Sequence, residues 1–235
     1  MDILQKIFEN KPEIKDQYNF LSPHYKAGFN KKDKDKNQVN RVSFVSEIRF
    51  GYFLYNRLEN LRYDANISGK TPDWVSDLNS EKILFEVKQL NPNSDIYNER
   101  IEQVKNDNYN GTDKFKNVYS ISDIFPYLPK IMEKEKAYRN FVMSEDYKLV
   151  ICINFSNLKD EFFTNNDLID YLNLKDNYNY FHQKIEYLDK DNFDNFCNNV
   201  AGFLVIPCFG SDIFFIENEM SLHRLSPSII EKLKK

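Results

Sequence analysis

Asp73, Glu86 and Lys88 fall within one 25-residue stretch, Asn66 to Leu90, and their types and spacing fit one kind of chemistry. The stretch reads as two extended segments joined by a short polar turn, Asp77 to Glu81, with Asp73 on the first and Glu86 and Lys88 on the second. A side-chain period of two puts Leu84, Glu86, Lys88 and Leu90 on one face and Ile83, Phe85, Val87 and Gln89 on the other. Carboxylates on adjacent strands supply hard oxygen ligands for Mg²⁺ or Mn²⁺, and the Val87 carbonyl between Glu86 and Lys88 can add a third. A metal so held polarises a phosphodiester and lowers the pKa of a bound water. Lys88, beside Glu86, is then placed to orient that water or to stabilise a more negative transition state. The same pattern also fits a solvated strand face carrying an ion pair.

A fourth charged residue stands out upstream. Arg41 to Leu61 is free of proline and carries apolar residues all round, which predicts a largely buried helix. Glu47 shares a face with Phe44, Gly51, Leu54 and Leu58, so a carboxylate sinks into an apolar stripe. A buried acid needs a partner. That partner is either a neighbouring Arg in a structural salt bridge, or a metal or water at the same site as Asp73 and Glu86.

The elements that must position these groups follow from the pattern on either side. A short helix is expected over Asp2 to Asn10, ended by Pro12, and a charged, mobile loop over Ser22 to Gln38. Strands are expected at Tyr63 to Ile67, Thr71 to Leu78 and Lys82 to Leu90 as an antiparallel meander. A helical stretch from Ile96 to Asn106, a loop at 106 to 113 and a long helix from Ser122 to Phe141 come next. Tyr147 to Phe155 is the most continuously apolar run and reads as a strand covered on both faces, joined to the third strand by a parallel crossover. Helices at Asn165 to Leu172 and Asp189 to Val200 lie on either side of an Asn- and Tyr-rich loop at 173 to 183. A hairpin of Ala201 to Pro207 with Asp212 to Glu217 and a helix over Ser226 to Lys235 complete the expected order.

Bulk properties remove other classes. The 235 residues fit one domain, 41% hydrophobic and 29% charged, and no apolar run approaches the roughly 18 residues of a membrane span. The first ten residues lack the apolar stretch of a secretory signal. Cys152, Cys197 and Cys208, an odd number without paired spacing, fit a reducing cytoplasm and the role of buried small hydrophobes. A net charge of -4 argues against coating nucleic acid by bulk electrostatics. His24, His182 and His223 have no local pattern that ties them to a nucleophile, zinc-ligand spacing does not occur, and the six glycines form no phosphate-binding loop.

The residues that remain resemble the PD-(D/E)xK, or restriction-endonuclease-like, nuclease superfamily. The match is Pro72-Asp73 on one strand, Glu86-Val87-Lys88 on the next after a twelve-residue gap, and Glu47 in the preceding helix. The order helix, three strands, helix, strand over about residues 41 to 155 also looks like that family's core, with 156 to 235 as an elaboration carrying the hairpin and helices. The resemblance implies an α/β fold with a central mixed β-sheet flanked by helices. It implies Asp73 and Glu86 as metal ligands, Lys88 as the catalytic lysine and Glu47 as the auxiliary acid of a Mg²⁺-dependent endonuclease. The expected substrate is DNA, with RNA as the other nucleic acid, and cutting both strands favours a homodimer. Candidates to approach the nucleic acid are the 31 to 36 loop, Gln89, and the 106 to 116 loop with Lys114 and Lys116. The competing expectation is a non-catalytic nuclease-like module in which Lys88 pairs with Glu86 or Asp73.

Overall fold

The computed structural model describes residues 2–91, 102, 106, 127–157, 165–173, 181–182, 185, 188–208 and 212–235. Most of the expected 96–106 helix, most of the 106–116 loop including Lys114 and Lys116, and most of the 173–183 loop lie outside the described residues. The fold is α/β: a six-stranded mixed sheet with helices on both faces.

Three helices open the chain. Asp2 caps α1 (Ile3–Asn10) by accepting from the Leu4 amide at 2.9 Å. Pro12 does more than end that helix, because it opens α2 (Pro12–Asp33) at a position where its missing N–H costs nothing. The expected loop over Ser22 to Gln38 is therefore corrected to a helix as far as Asp33. Pro23 is absorbed at a kink where Tyr25 departs from helical angles, at φ −122° and ψ 25°. The stripe Ile14, Tyr18, Leu21, Tyr25 and Phe29 packs on one core across both the proline and Gly28. Gly28 is required by the Tyr63 ring, which would lie 2.6 Å from an added Cβ. Asn37 caps α3 (Gln38–Tyr55) through the Val39 amide at 2.9 Å, so this helix starts and stops earlier than its apolar pattern predicts.

The sheet follows the chain order, β1 (Arg62–Tyr63), β2 (Trp74–Leu78), β3 (Glu81–Gln89), β4 (Tyr147–Asn154), β5 (Val200–Ile206) and β6 (Phe214–Glu217). β1 to β3 pair antiparallel, β3, β4 and β5 are parallel, and β6 returns antiparallel. The first strand is much shorter than expected, since beyond Tyr63 only an isolated Ile67–Lys70 bridge forms. The second starts three residues later than expected, at Trp74. The hairpin between β2 and β3 turns on Asn79 and Ser80, both with left-handed φ (51° and 67°), which matches the twist of the strands.

α4 (Leu128–Glu145) crosses between the parallel strands β3 and β4 and ends on Asp146 in the left-handed region. The next parallel connection carries α5 (Asn165–Leu172) and α6 (Lys190–Asn199), and α7 (Pro227–Lys234) ends the chain. Alternation divides each strand between two cores. Phe85, Val87, Val150 and Leu204 face α1, α2, α3 and α7, while Leu84, Leu90, Leu149 and Phe203 face α4, α5 and α6. The C-terminal hairpin belongs to the same sheet as the strands before it. No helix among the described residues is long and apolar enough to cross a membrane.

Candidate functional site

β3 is the strand at which antiparallel pairing gives way to parallel pairing, and its C-terminal half carries the expected charged residues. Glu86 and Lys88 share the face of Leu84 and Leu90, as the period of two requires. Asp73 sits immediately before β2, where the ladder with β3 stops at Trp74–Phe85. The proline explains the stop. One further step of the register sets Asp73 opposite Glu86, and the next sets Pro72, which has no N–H to donate, opposite Val87. The Val87 amide donates to Asp73 Oδ2 at 2.8 Å instead of to a strand partner. By the alternation of an antiparallel ladder the Val87 carbonyl faces the same gap.

Because the β2 side of the sheet has ended there, groups from its two faces can meet at Asp73. Glu47 arrives from α3, on one side, and its backbone carbonyl accepts from Trp74 Nε1 at 3.1 Å. Glu86 arrives from the other side. Burial first, then the charges of Glu47 and Glu86, raise the Asp73 pKa well above the ordinary carboxylate value. Asp73 itself is half-buried, while Glu47 and Glu86 are each only 7% exposed. Burial likewise raises the Glu47 pKa, against the pull of its cationic partner.

Each outer carboxylate has a lysine that the sequence did not assign to it. Glu47 pairs with Lys32 at 3.2 Å and accepts from the Tyr63 hydroxyl, so its partner is a lysine of α2 and no neighbouring Arg. Glu86 Oε1 pairs with Lys134 of α4 at 2.6 Å, whereas Glu86 Oε2 is buried without a hydrogen-bond partner. Although burial opposes it, the Lys32 pKa is raised by Glu47 and then Asp73, and the Lys134 pKa by Glu86 and then Asp73. Tyr138 lies one turn beyond Lys134, and burial, then the charge of Glu86 and a hydrogen bond from the Tyr138 hydroxyl to that carboxylate, raise its pKa. Lys88 behaves differently. It makes no ion pair among the described residues, and burial, then the neighbouring Lys134 charge, lower its pKa.

Glu47, Asp73, Glu86 and Lys88 thus gather around the C-terminal end of β3, with Val87 between. Gln89, expected to face nucleic acid, instead accepts from Ser46 at 2.8 Å, and Ser46 accepts from the buried Asn154 at 2.9 Å. This chain of polar contacts ties α3 to the ends of β3 and β4. Lys32, expected in a solvated loop, belongs to the site. Lys134 carried a readable signal: it lies on the stripe of Ile131, Tyr138 and Phe141, a charge among buried apolar positions just as Glu47 is.

The donor set fits a hard divalent cation in one respect and is closed in another. An orphaned Glu86 oxygen, an Asp73 carboxylate between two like charges and a carbonyl facing the same gap are oxygen donors short of positive charge. The lysines meet part of that need. Among the described residues no group of three or more His, Cys, Asp or Glu is arranged to hold a metal ion. No protein-family model matches the chain, and neither a curated protein nor a solved structure matches it.

Proposed function

We propose that this chain is a metal-dependent endonuclease with a restriction-endonuclease-like core, hydrolysing phosphodiester bonds of DNA in restriction or in defence against mobile elements. The observation that carries this reading is the Asp73 carboxylate, set between Glu47 and Glu86 at the end of β3 with one Glu86 oxygen unpartnered. Asp73, Glu86 and the Val87 carbonyl would hold Mg²⁺ or Mn²⁺, with Glu47 behind Asp73. Bound there, the ion supplies Lewis acidity and a more acidic water.

The chain's own residues supply the rest. The Val87 amide fixes the Asp73 carboxylate in place. Lys32 and Tyr63 hold Glu47. Lys88 makes no ion pair among the described residues, and Glu133 and Glu86 act on it through their charge alone, so its ammonium can meet the phosphate or the attacking water as negative charge develops. Its lowered pKa brings it closer to neutrality, where it can also give up or take a proton.

Incubation of plasmid, linear and single-stranded DNA, with an RNA arm, in Mg²⁺ tests the reading. Asp73→Ala and Lys88→Ala should each reduce cleavage by about 100-fold or more while the far-UV circular dichroism stays that of the wild type. Cleavage persisting in both variants removes the site assignment. A second reading, a non-catalytic nuclease-like module, is favoured by the Lys134–Glu86 and Lys32–Glu47 pairs, which neutralise two carboxylates without a metal. It expects no cleavage of any substrate by the wild type and no binding of Mg²⁺.

A further inference from the structure

Lys134 reaches the site from α4. Its Nζ lies 2.6 Å from Glu86 Oε1, its side chain is 26% exposed, and it interacts electrostatically with Asp73 and Glu47 as well. One ammonium therefore answers to all three carboxylates, while Glu86 Oε2 next to it stays without a partner. The arrangement is asymmetric. On the α3 side Glu47 has two further partners, Lys32 and Tyr63, that do not depend on Lys134. On the α4 side Glu86 pairs with Lys134 and has the Tyr138 hydroxyl beside it, while Asp73 feels both Lys134 and Lys32, so Lys134 is the cation common to all three carboxylates.

We infer that Lys134 is the internal counter-ion of this site: it stands in the cation position of the metal-free protein and leaves Glu86 when a divalent ion binds. The inference rests on the reading of Asp73 and Glu86 as a cation site. Three carboxylates gathered without compensation would repel one another in a poorly solvated place, so a protein that folds before it meets its metal needs a resident positive charge. A lysine suits the task because its ammonium is a compact charge on a flexible stem with rotatable donors. The helix under it is anchored independently. Leu128, Ile131 and Val142 are fully buried, and Glu135 accepts from Arg139 at 2.8 Å and from Asn199 at 2.7 Å. Lys134 can thus change its side-chain position without moving α4. Released from Glu86, its ammonium remains near Lys88, on which the charges of Lys130 and Glu133 also act. An ion entering the carboxylates would then leave the Lys134 and Lys88 ammonium groups on the side where a phosphate has to come.

Isothermal titration calorimetry with Mg²⁺, and with Ca²⁺ as a probe free of turnover, compares the wild type with Lys134→Met and Lys134→Gln in the absence of nucleic acid. Both variants should bind the ion roughly tenfold more tightly than the wild type, because no ammonium has to be displaced. Their melting temperatures should fall below the wild type's without metal and recover on saturation with Mg²⁺. Equal or weaker binding by the variants overturns the inference and leaves the metal reading standing. Absence of binding by all three proteins removes both together. A measurement on the wild type alone does not depend on how the variants fold: the ¹⁵N signal of the Lys134 ammonium should shift or broaden when Ca²⁺ saturates the protein. A signal unchanged while calorimetry records binding overturns the inference.

Discussion

At the scale of single residues, Asp73 is the most constrained group of the site. Its carboxyl holds a proton to higher pH in the folded chain than the ordinary 3.8, because burial and the charges of Glu47 and Glu86 disfavour its ionised form. The sign of the effect follows. Above about 3.8 the unfolded chain loses this proton first, so the folded state binds more protons and its stability falls as pH rises through the folded-state value. Asp73→Asn keeps an oxygen for the Val87 amide and removes the charge. Its stability relative to the wild type should therefore grow as the pH is raised above about 4 in urea titrations. A difference that stays flat with pH would contradict the placement of Asp73 among like charges. Asp2, Asp35 and Asp146, whose pKa values are lowered, act in the opposite sense, but they are common to both proteins and cancel in the difference.

At the scale of elements, contact between α3 and β2 sets where Glu47 and Asp73 sit. Gly51 of α3 lies flat against Trp74, so that an added Cβ would come 2.0 Å from the indole Cζ2. Gly51→Ala should cost about 1 to 3 kcal/mol of stability, measured by chemical denaturation. If the chain is the nuclease proposed above, it should also lower cleavage at temperatures where the variant is still folded, because Trp74 adjoins Asp73 and its Nε1 donates to the Glu47 carbonyl. The strand β3, the doubly covered β4 and the parallel crossover between them are legible from the chain, since a period of two and an unbroken apolar run are local signals. α2 is less so. Its Pro, Gly, Asn and Lys content reads as a loop, yet Ile14, Tyr18, Leu21, Tyr25 and Phe29 keep a helical period through Pro23. There, burial of a stripe outweighs the local preference of two or three residues. The pairs Lys32–Glu47 and Lys134–Glu86 join elements far apart in the chain, and charge pairing of that kind has no period to read. Only the misfit of a charge on an apolar stripe announces it. Glu47 bears that sign, and Lys134 carries the same one.

At the scale of the whole molecule, the two cores are stitched by the same strands, each of which gives alternate residues to both. Leu84 and Phe85, Leu149 and Val150, Phe203 and Leu204 lie back to back. Loosening one core therefore loosens the other, and unfolding should be one transition. Fluorescence of Trp74, the single tryptophan, reports the α3 side, and far-UV circular dichroism reports all elements. Their urea midpoints should coincide, and a separation would show that one side unfolds by itself. The consecutive strand order has a further consequence during synthesis. Every strand after the first finds a neighbour already made, so the sheet can grow in the direction the ribosome delivers it. Lys32, Glu47, Asp73 and Glu86 all emerge early, but Lys134 follows Glu86 by 48 residues. At roughly 5–20 residues per second, the nascent hairpin waits several seconds with Lys32 and Lys88, but without Lys134, beside its three carboxylates. In that interval the charge balance of the newborn site depends on protons and ions of the surrounding solution, and the arrival of α4 ends it.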